Sequence, residues 1–375
     1  MIYLDYAANT PADPAVLDAF CQMERQFIGN ANAAHPAGQA ARAEMARVTD
    51  SIASLLDVSP QEIIYTSGAS ESNNLAIKGV VQSGGQSGRH IITTPLEHAS
   101  VAGALSALGR QGCEVDVVNI RRDGTVDVQH LRTLLRQDTA LVCVCAVDSE
   151  LGAVQPIAEI AELLQGYPHC RLHVDATQAV GRTAPIWRGA DTVSLAPHKF
   201  YGLNGCGLLL KKKNLALEPL IHGGGSTTPY RSGTPALGLA VSAETALRLA
   251  LENQPQRTAR VKALNQQLRA GLSGYPAVCI NSPDDAVPNI LNLSVRGVKG
   301  TVFQRALASH GVCVSVKSAC STDGAPSQAV YAMSRDRRNA LSSWRISLSH
   351  LTTEAEIAAF LEIFQRCYQE LVLQE

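Results

Sequence analysis

What this chain lacks removes several classes of function. It has no block of lysines and arginines longer than Lys211-Lys212-Lys213, and its formal net charge is −1. Nucleic acid and anionic membranes both call for a basic field, so neither is indicated as a partner. The lysine triplet follows an apolar run and reads as a solvated strand end. No apolar run approaches the roughly 18 residues that a bilayer-spanning helix requires. Met1-Ile2-Tyr3-Leu4-Asp5 lacks the basic and then apolar regions of a secretion signal. The 10 cysteines are scattered, with no Cys-x-x-Cys pair, and Cys143 and Cys145 share one face of an apolar strand. No metal site is therefore expected; reduced, mostly buried thiols in a cytoplasmic protein are. Internal repeats and low-complexity tracts are also absent.

What is there reads as an α/β protein. At 375 residues the chain exceeds what one core usually organises, so two lobes are expected. Asp13-Pro14 opens a helix, with Asp as N-cap and Pro in the first turn. Gly29 to Gly38 is a polar, Gly/Pro-marked loop, long for a connector, and a candidate site loop through Asn30. Helical spacing runs from Gln39 to Leu56. Ile63–Thr66 is a strand, Ser67–Asn73 a turn, and a helix is expected from Asn74 to Val81. Strands follow at His90–Thr94, Glu114–Ile120, Ala140–Val147 and Cys206–Leu210, with helices from about Asp127 and Pro156. This alternation predicts a mostly parallel sheet covered by helices on both faces. A helical pattern from Pro235 to Leu272, bent near Pro255, leads to a smaller α+β part. That part has strands at Asn289–Val295 and Val312–Val316 and helices from Gly300 and Thr353. The expected division is a large domain over 13–250, and a small lobe made from 1–12 and 251–375.

The chain is organised around Leu172-His173-Val174-Asp175-Ala176-Thr177-Gln178 and Ser194-Leu195-Ala196-Pro197-His198-Lys199. Each begins apolar and ends polar, as a buried parallel strand does on leaving its sheet. Ligands of open α/β sheets bind beyond the carboxyl ends of the strands. Asp175 and Lys199 are therefore expected to face one pocket. A carboxylate for a pyridinium nitrogen and a lysine for a Schiff base are the two protein groups that pyridoxal phosphate (PLP) requires. Ser67-Gly68-Ala69-Ser70, opening a helix, is an anion site suited to a phosphate.

Taken in order over nearly the whole chain, the motifs resemble one family. They are Leu4–Pro11, Thr66–Ala76, Glu97-His98, His173–Gln178, His198-Lys199, His222–Gly225, Arg231–Thr234, Ser318-Ala319-Cys320 and Arg345-Ile346-Ser347. The chain resembles the cysteine desulfurases of the iron–sulfur-cluster-assembly and nitrogen-fixation type, within the class V, fold-type I PLP enzymes. The resemblance implies that Lys199 carries PLP and that Asp175 keeps its ring nitrogen protonated. It implies His98 stacked on the ring, where an imidazole of unperturbed pKa roughly 6.5 could shuttle protons. Gln178 would contact the ring hydroxyl, and Ala69, Ser70 and His198 the phosphate. Thr234 would reach the phosphate of a partner subunit, which implies a homodimer. Arg345 would clamp the substrate carboxylate, with Asn30 also on the substrate side. Cys320, in a stretch of small and polar residues fit for a mobile loop, would capture sulfur from L-cysteine as a persulfide for an acceptor protein. Lys317 and His98 are candidate activators of its thiol.

Two positions depart from the family pattern. Ala196 stands where a serine usually helps hold the phosphate, and Ser194 is a candidate substitute on the same strand face. Asp148-Ser149 stands where the family has two asparagines, so the cofactor and substrate contact falls to the shorter Ser149. Weaker or differently tuned binding is expected. Selenocysteine lyase or cystine C–S lyase chemistry, or a weakly active scaffold that depends on a partner, are the alternative readings.

Overall fold

The computed structural model describes residues 1–83, 88–317 and 325–372. Its strands are β1 (Ile2–Tyr3), β2 (Ile63–Thr66), β3 (His90–Thr93), β4 (Glu114–Val117), β5 (Thr139–Cys145), β6 (Arg171–Asp175), β7 (Thr192–Leu195), β8 (Gly207–Lys211), β9 (Val278–Ile280), β10 (Ile290–Val295), β11 (Val312–Cys313) and β12 (Ser343–Ser347). Its helices are α1 (Pro14–Gln26), α2 (Pro36–Leu56), α3 (Ala69–Ser83), α4 (Ala99–Arg110), α5 (Val128–Leu134), α6 (Ile157–Leu164), α7 (Leu237–Glu252), α8 (Gln254–Leu272), α9 (Gly300–Ser309), α10 (Gln328–Ser334), α11 (Arg337–Ser342) and α12 (Glu354–Val372).

Seven strands form the main sheet in the order β2-β8-β7-β6-β5-β3-β4. All neighbours are parallel except those of β8, which runs antiparallel to both β2 and β7. The expected α/β class and mostly parallel sheet are thus observed. Val142, Val144 and Val174 belong to a core shared with α1, α2, α6 and α7, whereas Ile91, Leu141 and Leu209 pack with α3 and α4. Burial on both faces explains why the central strands read as continuous apolar runs.

A second core gathers β10, β12, α8, α9 and α12 around Trp344, Phe303, Phe360 and Phe364. The Phe303 and Trp344 rings stack with centroids 5.4 Å apart. The chain's first residues join this part: β1 pairs with β11, and Asp5 bridges to Ser347.

Several expected boundaries are corrected. Helix α3 begins at Ala69 rather than Asn74, because the Glu71 carboxylate accepts the Ser67 N–H at 2.7 Å and draws the turn into the helix. Helix α2 begins at Pro36, capped by His35 Nδ1, rather than at Gln39. The pattern across 235–272 is two helices, since Pro255 has no N–H for the Leu251 carbonyl and Asn253 leaves helical geometry. Strands β4 and β11 stop at Val117 and Cys313, short of Ile120 and Val316. Lys211 is not a solvated strand end. It is 2% exposed, and its Nζ donates to the carbonyls of Lys212, Lys213 and Leu215 at 3.1, 3.1 and 2.6 Å and lies 4.5 Å from the Tyr230 ring centroid. Gly207 is needed where β8 meets the turn before α3: a Cβ there would stand 2.5 Å from the Gly68 Cα.

Candidate active site

The carboxyl ends of β5, β6 and β7 and the amino end of α3 meet at a cavity of about 390 Å³. Ala69, Ser70, His98, Ser149, Asp175 and Gln178 line it together with His198, Lys199 and Arg345. Each reaches the cavity from its place in the fold. Asp175 is the last residue of β6, and Lys199 lies in the short turn after β7. His98 is the N-cap of α4, while Ala69 and Ser70 open α3, whose first-turn N–H groups have no intrahelical acceptor.

Asp175 ends a buried polar chain. The hydroxyl of Thr192 lies 2.9 Å from His173 Nδ1, and His173 Nε2 lies 3.1 Å from Asn73 Oδ1. Burial pushes the His173 imidazole down to about 4, so the ring is neutral. Its one N–H then donates to Asn73, whose Nδ2 donates to Asp175 Oδ2 at 2.8 Å. The Thr177 N–H donates to Asp175 Oδ1 at 3.0 Å. Both carboxylate oxygens are thus held as acceptors. Asn73 Nδ2 also donates to Ser100 Oγ at 2.8 Å, and Ser100 Oγ lies 2.8 Å from His98 Nδ1. Because that nitrogen also accepts the Ser100 N–H, His98 turns Nε2 away from its cap. Burial lowers the His98 pKa, so the neutral imidazole is the resting form. Asn73 and Ser100 had no role in the reading of the sequence; an Asn on the first turns of the helix that faces an acidic strand end was the available signal.

Two further carboxyls lie behind the wall. Glu97 Oε1 accepts from Thr94 Oγ1 and from the Cys145 N–H, both at 2.8 Å. Glu97 Oε2 and Asp148 Oδ2 are buried with no partner among the described residues. Burial, then Asp175 and Asp148, pushes Glu97 up to about 8. Burial and Glu150 push Asp148 up to about 7.

Lys199 Nζ donates to the carbonyls of Ala7 and Ala8 at 2.9 and 2.6 Å. Burial first, then Arg345 and Arg182, lowers its pKa to about 8, which brings a free amine within reach near neutrality. Burial likewise lowers His198 to about 4. Gln178 Nε2 donates to Ala7 O at 3.0 Å, and its Oε1 accepts from Arg182. Arg345 is 2% exposed. Its Nη1 donates to Ser149 O at 2.7 Å and its Nη2 to Asp5 Oδ1 at 2.9 Å, while its buried Nε has no partner among the described residues. Asp5 also accepts from Ser315 Oγ at 2.8 Å, and Ser315 and Arg345 exchange backbone hydrogen bonds.

Other singled-out residues lie elsewhere. Cys320 is outside the described residues. Asn30 is exposed, is not in the cavity wall, and spends its Oδ1 on the Asn32 N–H. Thr234 is exposed and lines a smaller neighbouring cavity that shares Ser67. Ala196 and Ser194 are both fully buried, neither is in the wall, and the Ser194 hydroxyl has no partner among the described residues. Ser194 therefore does not substitute for the missing phosphate serine.

Fold and site together define an α/β enzyme in which a half-buried lysine and a carboxylate line one cavity at the strand ends. The sequence matches the aminotransferase class-V family over residues 2–360, and the chain belongs to that family. Among its relatives, a "NifS/IcsS protein homolog" of Lactobacillus delbrueckii is 35% identical over 98% of this chain and 97% of its own. "Cysteine desulfurase IscS" of Vibrio cholerae is 37% identical over 99% of this chain and 93% of its own. A solved "NifS-like protein" superposes with a TM-score of 0.92 at 32% identity, covering 99% of this chain and 100% of that one. "SspA in complex with cysteine" gives 0.81 at 30% identity, covering 94% and 100%.

Proposed function

We propose that this protein is a PLP-dependent cysteine desulfurase. It converts L-cysteine to L-alanine and keeps the sulfur as a persulfide on Cys320 for an acceptor protein. The observation that carries the reading is the convergence of Lys199, Asp175 and Arg345 on one cavity of about 390 Å³. The donor set fits the cofactor. A lysine of lowered pKa is available for covalent attachment, and a carboxylate locked as an acceptor suits a pyridinium N–H. The first-turn N–H groups of α3, with Ser70 and His198, suit a phosphate. Full-length similarity to proteins named as cysteine desulfurases supports the same reading.

PLP, when bound, supplies an electron sink for the bond broken at the substrate Cα. The chain's own residues do the rest. His98 covers one side of the site and Gln178 the side near Ala7. Arg345 takes the substrate carboxylate, for which its unpartnered Nε is a ready donor, and Ser149 stands beside it. Lys199 removes the Cα proton as a free amine. The Cys320 thiolate attacks the substrate sulfur; the carbon–sulfur bond breaks, a sulfur–sulfur bond forms, and cysteine plus thiol become alanine plus persulfide. In this reading the lobe built from 1–12 and 251–375 carries the Cys320 segment. Thr234, exposed on the free chain, serves the partner's phosphate in a homodimer, and the protein works in the cytoplasm.

Cys320→Ala tests the assignment. The variant should bind PLP and L-cysteine and release no sulfide. Normal sulfide release from it overturns the nucleophile, and pyruvate in place of alanine from the wild type overturns the reaction.

A further inference from the structure

A second cavity, of about 470 Å³, lies on the far side of the turn that carries His98. Pro95 lines it, whereas Leu96 and His98, one and three residues on, line the active-site cavity. Its other walls are Val117 to Ile120, at the end of β4, and Ala325 to Arg335, the described chain that resumes five residues after Cys320. The groove therefore borders both the wall of the active site and the chain that leads from the sulfur-carrying residue.

Its floor is apolar and open. Val117 is 52% exposed and Tyr331 44% exposed, and Pro95 and Pro326 flank them. Its rim is basic. Arg335 donates to Asn119 Oδ1 at 3.3 Å, which fastens the two walls together. Arg337 and Arg338 open α11 directly beyond it, and Arg121 and Arg122 lie two and three residues past Asn119; all five arginines are exposed. Arg122, Arg335, Arg337 and Arg338 make no ion pair among the described residues. Three nearby acids have partners: Asp123 pairs with Arg121, Asp336 accepts from the N–H groups of Arg338 and Asn339, and Glu150 accepts from Ser327 Oγ at 2.6 Å. An exposed tyrosine in one groove with an arginine that makes no ion pair among the described residues is the composition that interfaces select. The unbalanced charge sets the sign of what binds there.

We propose that this groove docks the sulfur acceptor, through an acidic segment that carries the acceptor cysteine. The inference rests on the desulfurase reading and adds to it the place and the charge of the partner. In the transfer, the acceptor thiolate attacks the outer sulfur of the Cys320 persulfide. A sulfur–sulfur bond forms on the acceptor, the one on Cys320 breaks, and Cys320 leaves as thiolate, so no outside oxidant or reductant is consumed.

The test uses two synthetic cysteine peptides as acceptors for the PLP-loaded enzyme, one flanked by Asp and Glu and one by Lys. At low salt the acidic peptide should take sulfur with at least tenfold higher kcat/KM, and the difference should shrink as salt screens the charges. Arg337→Glu with Arg338→Glu should abolish the preference while leaving sulfide release to a small thiol unchanged. Glutamates at the start of α11 suit the helix dipole, so the variant is expected to fold. Tyr331→Ala should weaken transfer to the acidic peptide alone. Equal rates for the two peptides, or an unchanged preference in the double variant, overturn the docking site. Anisotropy of the labelled acidic peptide reads docking without turnover. If the wild type releases no sulfide to the small thiol, the desulfurase reading fails, and the peptide's binding still decides the groove.

Discussion

Glu97→Gln should change how stability depends on pH. The wild-type carboxyl is pushed from 4.5 up to about 8, by burial first and then by Asp175 and Asp148. Below pH 4.5 folded and unfolded chains both hold this proton, and pH has no effect through it. Between 4.5 and 8 the unfolded chain loses the proton while the folded one keeps it, so stability falls as pH rises; above 8 the loss is complete. One pKa unit is about 1.4 kcal/mol, which puts the loss at about 3–5 kcal/mol for a fully buried group. Glutamine has no proton to lose. It keeps an oxygen for Thr94 Oγ1 and the Cys145 N–H, and its NH₂ takes the place of the unpartnered Oε2. Urea unfolding followed by circular dichroism, at pH 5 and pH 9, measures the difference directly. The variant should gain about 3–5 kcal/mol on the wild type between the two values. Asp148 titrates in both proteins and largely cancels. Parallel pH profiles would refute the claim that Glu97 is protonated in the folded protein.

Attachment of PLP to the apoprotein should speed up as pH rises, with a midpoint at the Lys199 value of about 8, because only the unprotonated amine reacts. Stopped-flow absorbance reads this, and a midpoint at the 10.5 of a free lysine would contradict the burial argument. Arg345→Lys should raise KM for L-cysteine on the order of 100-fold with PLP binding intact, because one point charge replaces a fork holding Ser149 O and Asp5. Unchanged KM would move the carboxylate clamp elsewhere. Lys211→Met should cost about 2–4 kcal/mol in urea unfolding, since three carbonyls lose their donor; a neutral result would mean that water replaces it.

The strand ends that carry Asp175 and Lys199 were legible because each is a run of apolar residues that turns polar where the sheet stops. Helix α3 begins five residues before the expected Asn74: Ser70 and Ser72 have the composition of a loop, and the Glu71 contact with Ser67 draws them into the helix. Lys211 was misread for the opposite reason. A strand end followed by two more lysines looks solvated, and nothing local announces that the chain will curl its own carbonyls around one of them. Tertiary hydrogen bonds of this kind leave no periodicity to detect.

The same limit explains which site residues were missed, and it shows how the site is joined. Asp5 and Arg345 are 340 positions apart, yet they pair at the residue proposed as the substrate clamp. Asp5 also holds Ser315, whose backbone bonds to Arg345 just before the chain runs on toward Cys320. In the proposed reading, the clamp for the substrate carboxylate and the root of the sulfur-accepting segment are therefore one hydrogen-bonded unit. Asp5→Ala removes the acceptor common to both. It should raise KM for L-cysteine and slow sulfur capture together, whereas Ser315→Ala, which spares the Asp5–Arg345 pair, should slow capture with KM unchanged. If both variants raise KM equally, the two functions are not separable at Asp5 and the coupling runs through the backbone bridge instead.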